Sequence, residues 1–155
     1  LELTSSMGGE TCFEQSVSCI GVPTCQMGTC ESQAALNETL KYVKENIADL
    51  SLLPKLYFSG CGNSCGVHQL ALIGFTGKKK RINDVVEEAY EVHINGCYVE
   101  GEARLGECFG DIAKKDIPKF ICELGNNLNN YKMNFDDYIK NKADEFKALI
   151  EKYNC

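Results

Sequence analysis

The residues with the most chemistry in this 155-residue chain are cysteines in glycine-rich surroundings. "CGNSC" places Cys61 and Cys65 four apart, and "CIGVPTC" places Cys19 and Cys25 six apart with a glycine and a proline between them. Thiols at such spacing can close a disulfide, hold a metal, attack a substrate or lie buried. Each pair follows a stretch that reads as a strand. Two neighbouring strands of one sheet would bring both turns to the same edge, where four thiolates could converge. An iron–sulfur cubane asks for that set, one soft thiolate per iron. Glycine lets backbone pass close to the cluster and aim N–H groups at sulfur, which helps set a reduction potential. Zinc also accepts four cysteines, but its loops usually separate the members of a pair by about two to four residues. The five-residue gap in the first pair fits zinc less well.

The elements that must position these turns follow from pattern. Residues 10–30 read as a strand running into a loop, with "CFEQSVSCI" rich in β-formers and Gly21, Pro23 and Gly28 as punctuation. Leu36, Leu40, Val43 and Ile47 recur at helical steps and predict a helix over about 31–49. "KLYFSG" is a short strand delivering the chain to the Cys61 turn. "LALIGFTG" predicts a strand, "KKKRIND" its exposed connection, "AYEVHING" a returning strand, and "EARLGECFG" a further short one. A helix is expected near 116–129, with Asp116 as cap and Pro118 in its first turn. Asn134 opens a last helix with Phe135, Ile139, Ala143, Phe146, Ile150 and Tyr153 along one side. These elements predict an α/β (α+β) fold, a mixed β-sheet with helices packed on it. The main domain is expected over 1–130, with 131–155 a C-terminal helical extension.

Composition narrows the function. Length and a 44% hydrophobic content suit one domain with one core. The formal net charge of −6 disfavours nucleic acid as a partner, and no apolar run approaches the roughly 20 residues of a membrane span. The start, "LELTSSMGGETC", lacks the features of a signal peptide. It reads as a piece cut from a longer chain, the alternative being tag residues ahead of Met7. Ten cysteines would suggest a disulfide framework in a short secreted protein. Here their clustering favours a reducing, cytoplasmic setting and metal, and the "NET" sequon at Asn37 is too short to argue otherwise.

"CIGVPTCQMG" resembles the first cluster segment of the sirohaem- and [4Fe–4S]-dependent nitrite and sulfite reductases, and "SGCGNSCGVHQLALIGFTG" resembles their second. The family usually has proline where this chain has Gly62. "YEVHINGCYVEGEARLGE" resembles the family's continuation, so the likeness covers about residues 9–128. The resemblance implies the cluster-bearing C-terminal half of such a reductase. It makes Cys19, Cys25, Cys61 and Cys65 the ligands of a [4Fe–4S] cluster, with Cys65 bridging to sirohaem iron. The implied activity is the six-electron reduction of nitrite to ammonia or sulfite to sulfide. Implied partners are the N-terminal half of the same enzyme and ferredoxin or a similar donor, with no nucleic acid and no membrane. The basic substrate-binding residues are expected on the other half. No catalytic residue is therefore nominated, and the isolated piece is expected to be inactive and to oxidise at Cys19–Cys25 or Cys61–Cys65 if it lacks its cluster.

Other readings stand beside this one. The chain could be a [4Fe–4S] electron-transfer module without sirohaem, or a disulfide-stapled binding module. Asn63 could bond to cofactor edges or simply form a turn. His68 could orient the cluster loop, reach a sirohaem carboxylate, or be a hydrogen-bonded structural group. His93 reads as structural. Lys78–Arg81 could meet an acidic partner or be a solvated turn. Cys12 and Cys30 read as spare thiols, buried or able to mis-pair, and Cys97, Cys108, Cys122 and Cys155 as small apolar fillers or incidental.

Overall fold

In the computed structural model, which describes residues 9–155, five strands form one sheet in sequence order. They are β1 (Val17–Ser18), β2 (Leu56–Ser59), β3 (Ile73–Ile82), β4 (Val85–Ile94) and β5 (Glu107–Ala113). The first three run parallel; β4 and β5 are antiparallel to their neighbours. Four α-helices complete the described residues: α1 (Ser32–Asn46), α2 (Ile117–Tyr131), α3 (Phe135–Asn141) and α4 (Ala143–Tyr153). The expected α/β class, a mixed sheet with helices packed on it, is the one observed. The readings of the chain start at Leu1 and Met7 lie outside the described residues.

Side chains of one strand parity fill the core. Leu56, Phe58, Ile73, Phe75, Tyr90, Val92 and Ile94 are fully buried, and Phe58 stacks on Phe75 with ring centroids 4.4 Å apart. The helical stripes meet them in one cluster: Ala35, Leu36 and Val43 from α1, and Phe120, Ile121, Leu124 and Leu128 from α2. The opposite parity carries Ser59, Gly74 and His93, whose registers are Ser59↔Thr76 and Gly74↔His93.

Several local expectations are corrected. The strand expected in "CFEQSVSCI" shrinks to two residues after a tight helical turn at Phe13–Gln15. Phe13 is fully buried there, so packing rather than pairing holds this stretch. "KKKR" is not a connection. Lys78–Arg81 continue β3, and only Asn83 and Asp84 turn the chain, both at positive φ (49° and 65°). A two-residue hairpin needs that conformation, and Asn and Asp tolerate it. The lysines can remain in the strand because opposing acids neutralise them: Lys78 lies 3.0 Å from Glu91, Lys79 3.0 Å from Glu88, and Lys80 2.8 Å from Asp111.

Asp116 stands before α2 without a capping hydrogen bond. It closes the helical turn Lys114–Asp116 at φ −101°, ψ −13°, whereas a capping side chain needs extended backbone. Asn134 does cap, accepting the Asp137 amide at 2.9 Å. The single last helix is two, broken at Lys142. The break resets the helical phase, so Tyr138 and Leu149 enter the core and Ala143 is exposed. Phe135, Tyr138, Phe146, Leu149 and Ile150 belong to the same buried cluster as α1, α2 and the sheet. Among the described residues, no helix is long and apolar enough to cross a membrane.

Candidate functional site

β1 and β2 lie side by side and parallel, so the residues that follow each emerge at the same sheet edge. Cys19 continues the pairing, its amide donating to Phe58 O at 2.9 Å. Gly60, next after β2, then donates its amide to the Cys19 sulfur at 3.1 Å. The Gly60 carbonyl accepts from the amides of Thr29 (3.0 Å) and Cys30 (2.9 Å), fastening the end of the first turn to the start of the second. Ser32, at the start of α1, donates its hydroxyl to Cys19 O at 2.9 Å and lies 3.3 Å from the Cys19 sulfur.

This closeness depends on missing side chains. A Cβ on Gly60 would lie 2.7 Å from Cys30 O and 3.1 Å from the Gly21 Cα. Gly21 adopts φ +57°, and a Cβ there would meet the Ser32 hydroxyl at 2.5 Å. Gly62, by contrast, faces open space, consistent with a position that tolerates a larger residue.

The four motif thiols differ in access. Cys19, Cys25 and Cys61 are half-buried and Cys65 is exposed. Cys25 is anchored through backbone only, donating to Gly21 O at 2.8 Å and accepting from Gly28 at 3.1 Å. Asn63 is exposed in the second turn, between Cys61 and Cys65. The structure thus brings the two turns together. Among the described residues, no three His, Cys, Asp or Glu side chains converge as a site for a single metal ion. Cubane ligands bind four different irons, so they must ring a cage rather than meet at one point. The donor chemistry, four thiols on two adjoining turns with glycine backbone between them, fits such a group.

Cys30, read from sequence as a spare thiol, is fully buried against Gly77 and packs beneath the joined turns. Burial pushes its thiol up to about 11, so it stays protonated near neutrality. Cys12 and Cys108 are exposed, and Cys97, Cys122 and Cys155 are half-buried. Of the four expected as fillers or incidental, Cys108 is not a filler. All ten cysteines are free thiols.

His68 is 1% exposed, with Nδ1 2.8 Å from the Ser59 hydroxyl. Burial, followed by the His93 ring at 4.9 Å, lowers its pKa to about 4. Ser59, a residue that the sequence reading passed over, also accepts the Gly66 amide at 3.0 Å. Its only sequence signal was its position, directly between a buried strand and the Cys61 turn.

Fold and site define a mixed α/β sheet domain that presents two cysteine turns at one sheet edge. Comparison with known proteins gives this domain its relatives. No family model matches the chain. It is 32% identical over 88 residues to the sulfite reductase [NADPH] hemoprotein beta-component of Actinobacillus pleuropneumoniae, covering 54% of this chain and 13% of that protein. It is 32% identical over 104 residues to the ferredoxin–nitrite reductase of Leptolyngbya laminosa, covering 66% and 19%. The ferredoxin–nitrite reductase of Synechococcus elongatus is 29% identical over 110 residues, covering 70% and 21%. Among solved structures, the Mycobacterium tuberculosis NirA protein superposes with a TM-score of 0.68 at 20% identity, over 77% of this chain and 23% of that one. The chain is a relative of the nitrite and sulfite reductases, and it spans between 13% and 21% of the length of the three curated relatives named here.

Proposed function

We propose that this chain is the cluster-bearing part of a sirohaem-dependent nitrite or sulfite reductase. Cys19, Cys25, Cys61 and Cys65 would hold a [4Fe–4S] cluster, and Cys65 would share its sulfur with sirohaem iron. Asn63 would line the cofactor edge. The remainder of the enzyme would supply the anion-binding cations, and ferredoxin or a similar donor the electrons, in a cytoplasmic setting. The observation that carries this reading is the junction of the two cysteine turns through Gly60, together with curated relatives named as sulfite and nitrite reductases.

When bound, the cluster and sirohaem supply electron storage and a metal where the anion is reduced. The contributions of this chain are positional. The Gly60 amide points at the Cys19 sulfur, where an N–H donor stabilises a thiolate and tunes a metal's potential. Ser32 fixes the Cys19 carbonyl. The buried face formed by Phe58, Phe75 and Tyr90 holds β2 and β3 rigid beneath the turns.

The test is anaerobic reconstitution of the 155-residue chain with ferrous iron and sulfide. The expected result is about four irons per chain, an electron paramagnetic resonance signal on reduction, and loss of both in Cys19→Ser and Cys61→Ser. Iron uptake unaffected by those substitutions would overturn the reading. A cluster that forms but never couples to sirohaem, even with the rest of the enzyme present, would instead mark an electron-transfer module.

A further inference from the structure

Cys65 is exposed, its sulfur reaching only the Asn63 carbonyl at a long 4.0 Å, so packing of its own side chain does not set its direction. Its turn also contains two non-glycine residues in left-handed backbone, Ser64 at φ 56° and Val67 at φ 55°. Such residues carry strain and persist only where their surroundings fix them. The fixing contacts lie immediately after Cys65. Gly66 rests flat on β2: a Cβ there would lie 2.1 Å from Phe58 O. Its amide donates to Ser59 Oγ at 3.0 Å, in a buried setting.

Ser59 has one hydroxyl proton. Its oxygen accepts from Gly66 and also pairs with His68 Nδ1 at 2.8 Å, the hydroxyl being the donor when His68 carries its proton on Nε2. The segment is closed on its far side by Gly74, where a Cβ would come within 2.0 Å of His68 O. The crossover from β2 to β3 is therefore held at Gly66 on one strand and at His68 on the other, with Ser59 joining the two holds.

We infer that His68 is a positioning residue: acting through Ser59, it fixes the Gly66 amide and thereby the direction of the Cys65 sulfur. The consequence for a cluster rests on the proposed function above. The hold on Gly66 does not, because it consists of protein groups alone.

The experiment uses the 155-residue chain with Ser59→Ala, His68→Leu and His68→Asn, the last keeping an acceptor near the Nδ1 position. Amide hydrogen exchange is read first, on the chain without cluster. Losing a buried hydrogen bond of ordinary strength should speed Gly66 exchange about tenfold in Ser59→Ala and His68→Leu. Exchange of the α2 amides should stay unchanged, and His68→Asn should restore most of the protection. The same variants are then reconstituted. Ser59→Ala and His68→Leu should shift the cluster's resonance signal and midpoint potential, and His68→Asn should return both toward the unsubstituted chain.

Unchanged Gly66 exchange in Ser59→Ala would overturn the hold. Faster exchange with an unaltered cluster signal and potential would overturn the positioning role. His68→Asn behaving like His68→Leu would show that the acceptor is not what matters, and would also overturn it. If His68→Leu fails to fold, Ser59→Ala decides the question alone. Should the unsubstituted chain take up no cluster, the proposed function fails while the exchange result still decides the hold.

Discussion

The Gly60 amide donates to the Cys19 sulfur at 3.1 Å, across 41 residues of sequence. The bond exists because β1 and β2 are parallel neighbours with Ser18 opposite Phe58, so Cys19 and Gly60, the residues that follow the two strands, arrive at one place. A side chain on Gly60 would collide with the Cys30 carbonyl and the Gly21 backbone, neither of which can swing aside.

Gly60→Ala should therefore destabilise the chain by about 1–3 kcal/mol, the usual range for overpacking. Chemical denaturation of the chain without cluster measures this. The same variant should retain less iron after reconstitution. Stability equal to the unsubstituted chain would show that the two turns are not held as tightly as the backbone contacts require.

His68 gives the chain an acid sensitivity. Its folded pKa of about 4 lies below the ordinary 6.5 because burial disfavours the imidazolium. The unfolded chain therefore binds the proton more readily. The stabilising contribution is complete above about pH 6.5 and is lost as pH falls toward 4. That gap corresponds to roughly 3 kcal/mol. Denaturation midpoints between pH 7 and 4 should fall steeply, and His68→Asn should flatten the slope. The residual slope would come from carboxyls held low by their partners, among them Glu14 beside Lys44, Glu91 and Asp111 beside Lys78, and Glu123 beside Lys152.

Thiol labelling should separate the cysteines by access. At pH 8, exposed Cys12 and Cys65 should react first with an alkylating reagent, ahead of exposed Cys108, whose thiol partial burial pushes up. Cys30 should react last, since it is buried and its thiol is pushed up to about 11. Peptide mass spectrometry over a time course reads the order. Early labelling of Cys30 in the folded chain would contradict its place beneath the turns.

The C-terminal helices should unfold together with the sheet. Phe146 of α4 and Phe120 of α2 are both buried in one cluster. Replacing either by Ala should cost about 3–5 kcal/mol and leave a single transition. A separate early transition in Phe146→Ala would mark 131–155 as an independent extension.

The sequence alone determined the helices α1 and α2, because Leu36, Leu40 and Val43, or Phe120, Ile121 and Leu124, repeat at the helical period. It also placed β2 and the hairpin strands, and it singled out the two cysteine pairs by spacing and by their glycines. Tertiary structure decided the rest. Whether "KKKR" is strand or turn depended on acids that face it from β4 and β5. Whether one last helix becomes two depended on which residues the α2 face and the sheet would accept. The meeting of the cysteine turns and the hold of Ser59 and His68 on Gly66 depend on contacts between distant or oppositely directed segments. No local pattern encodes these, because strand order and register bring the partners together only once the chain is folded.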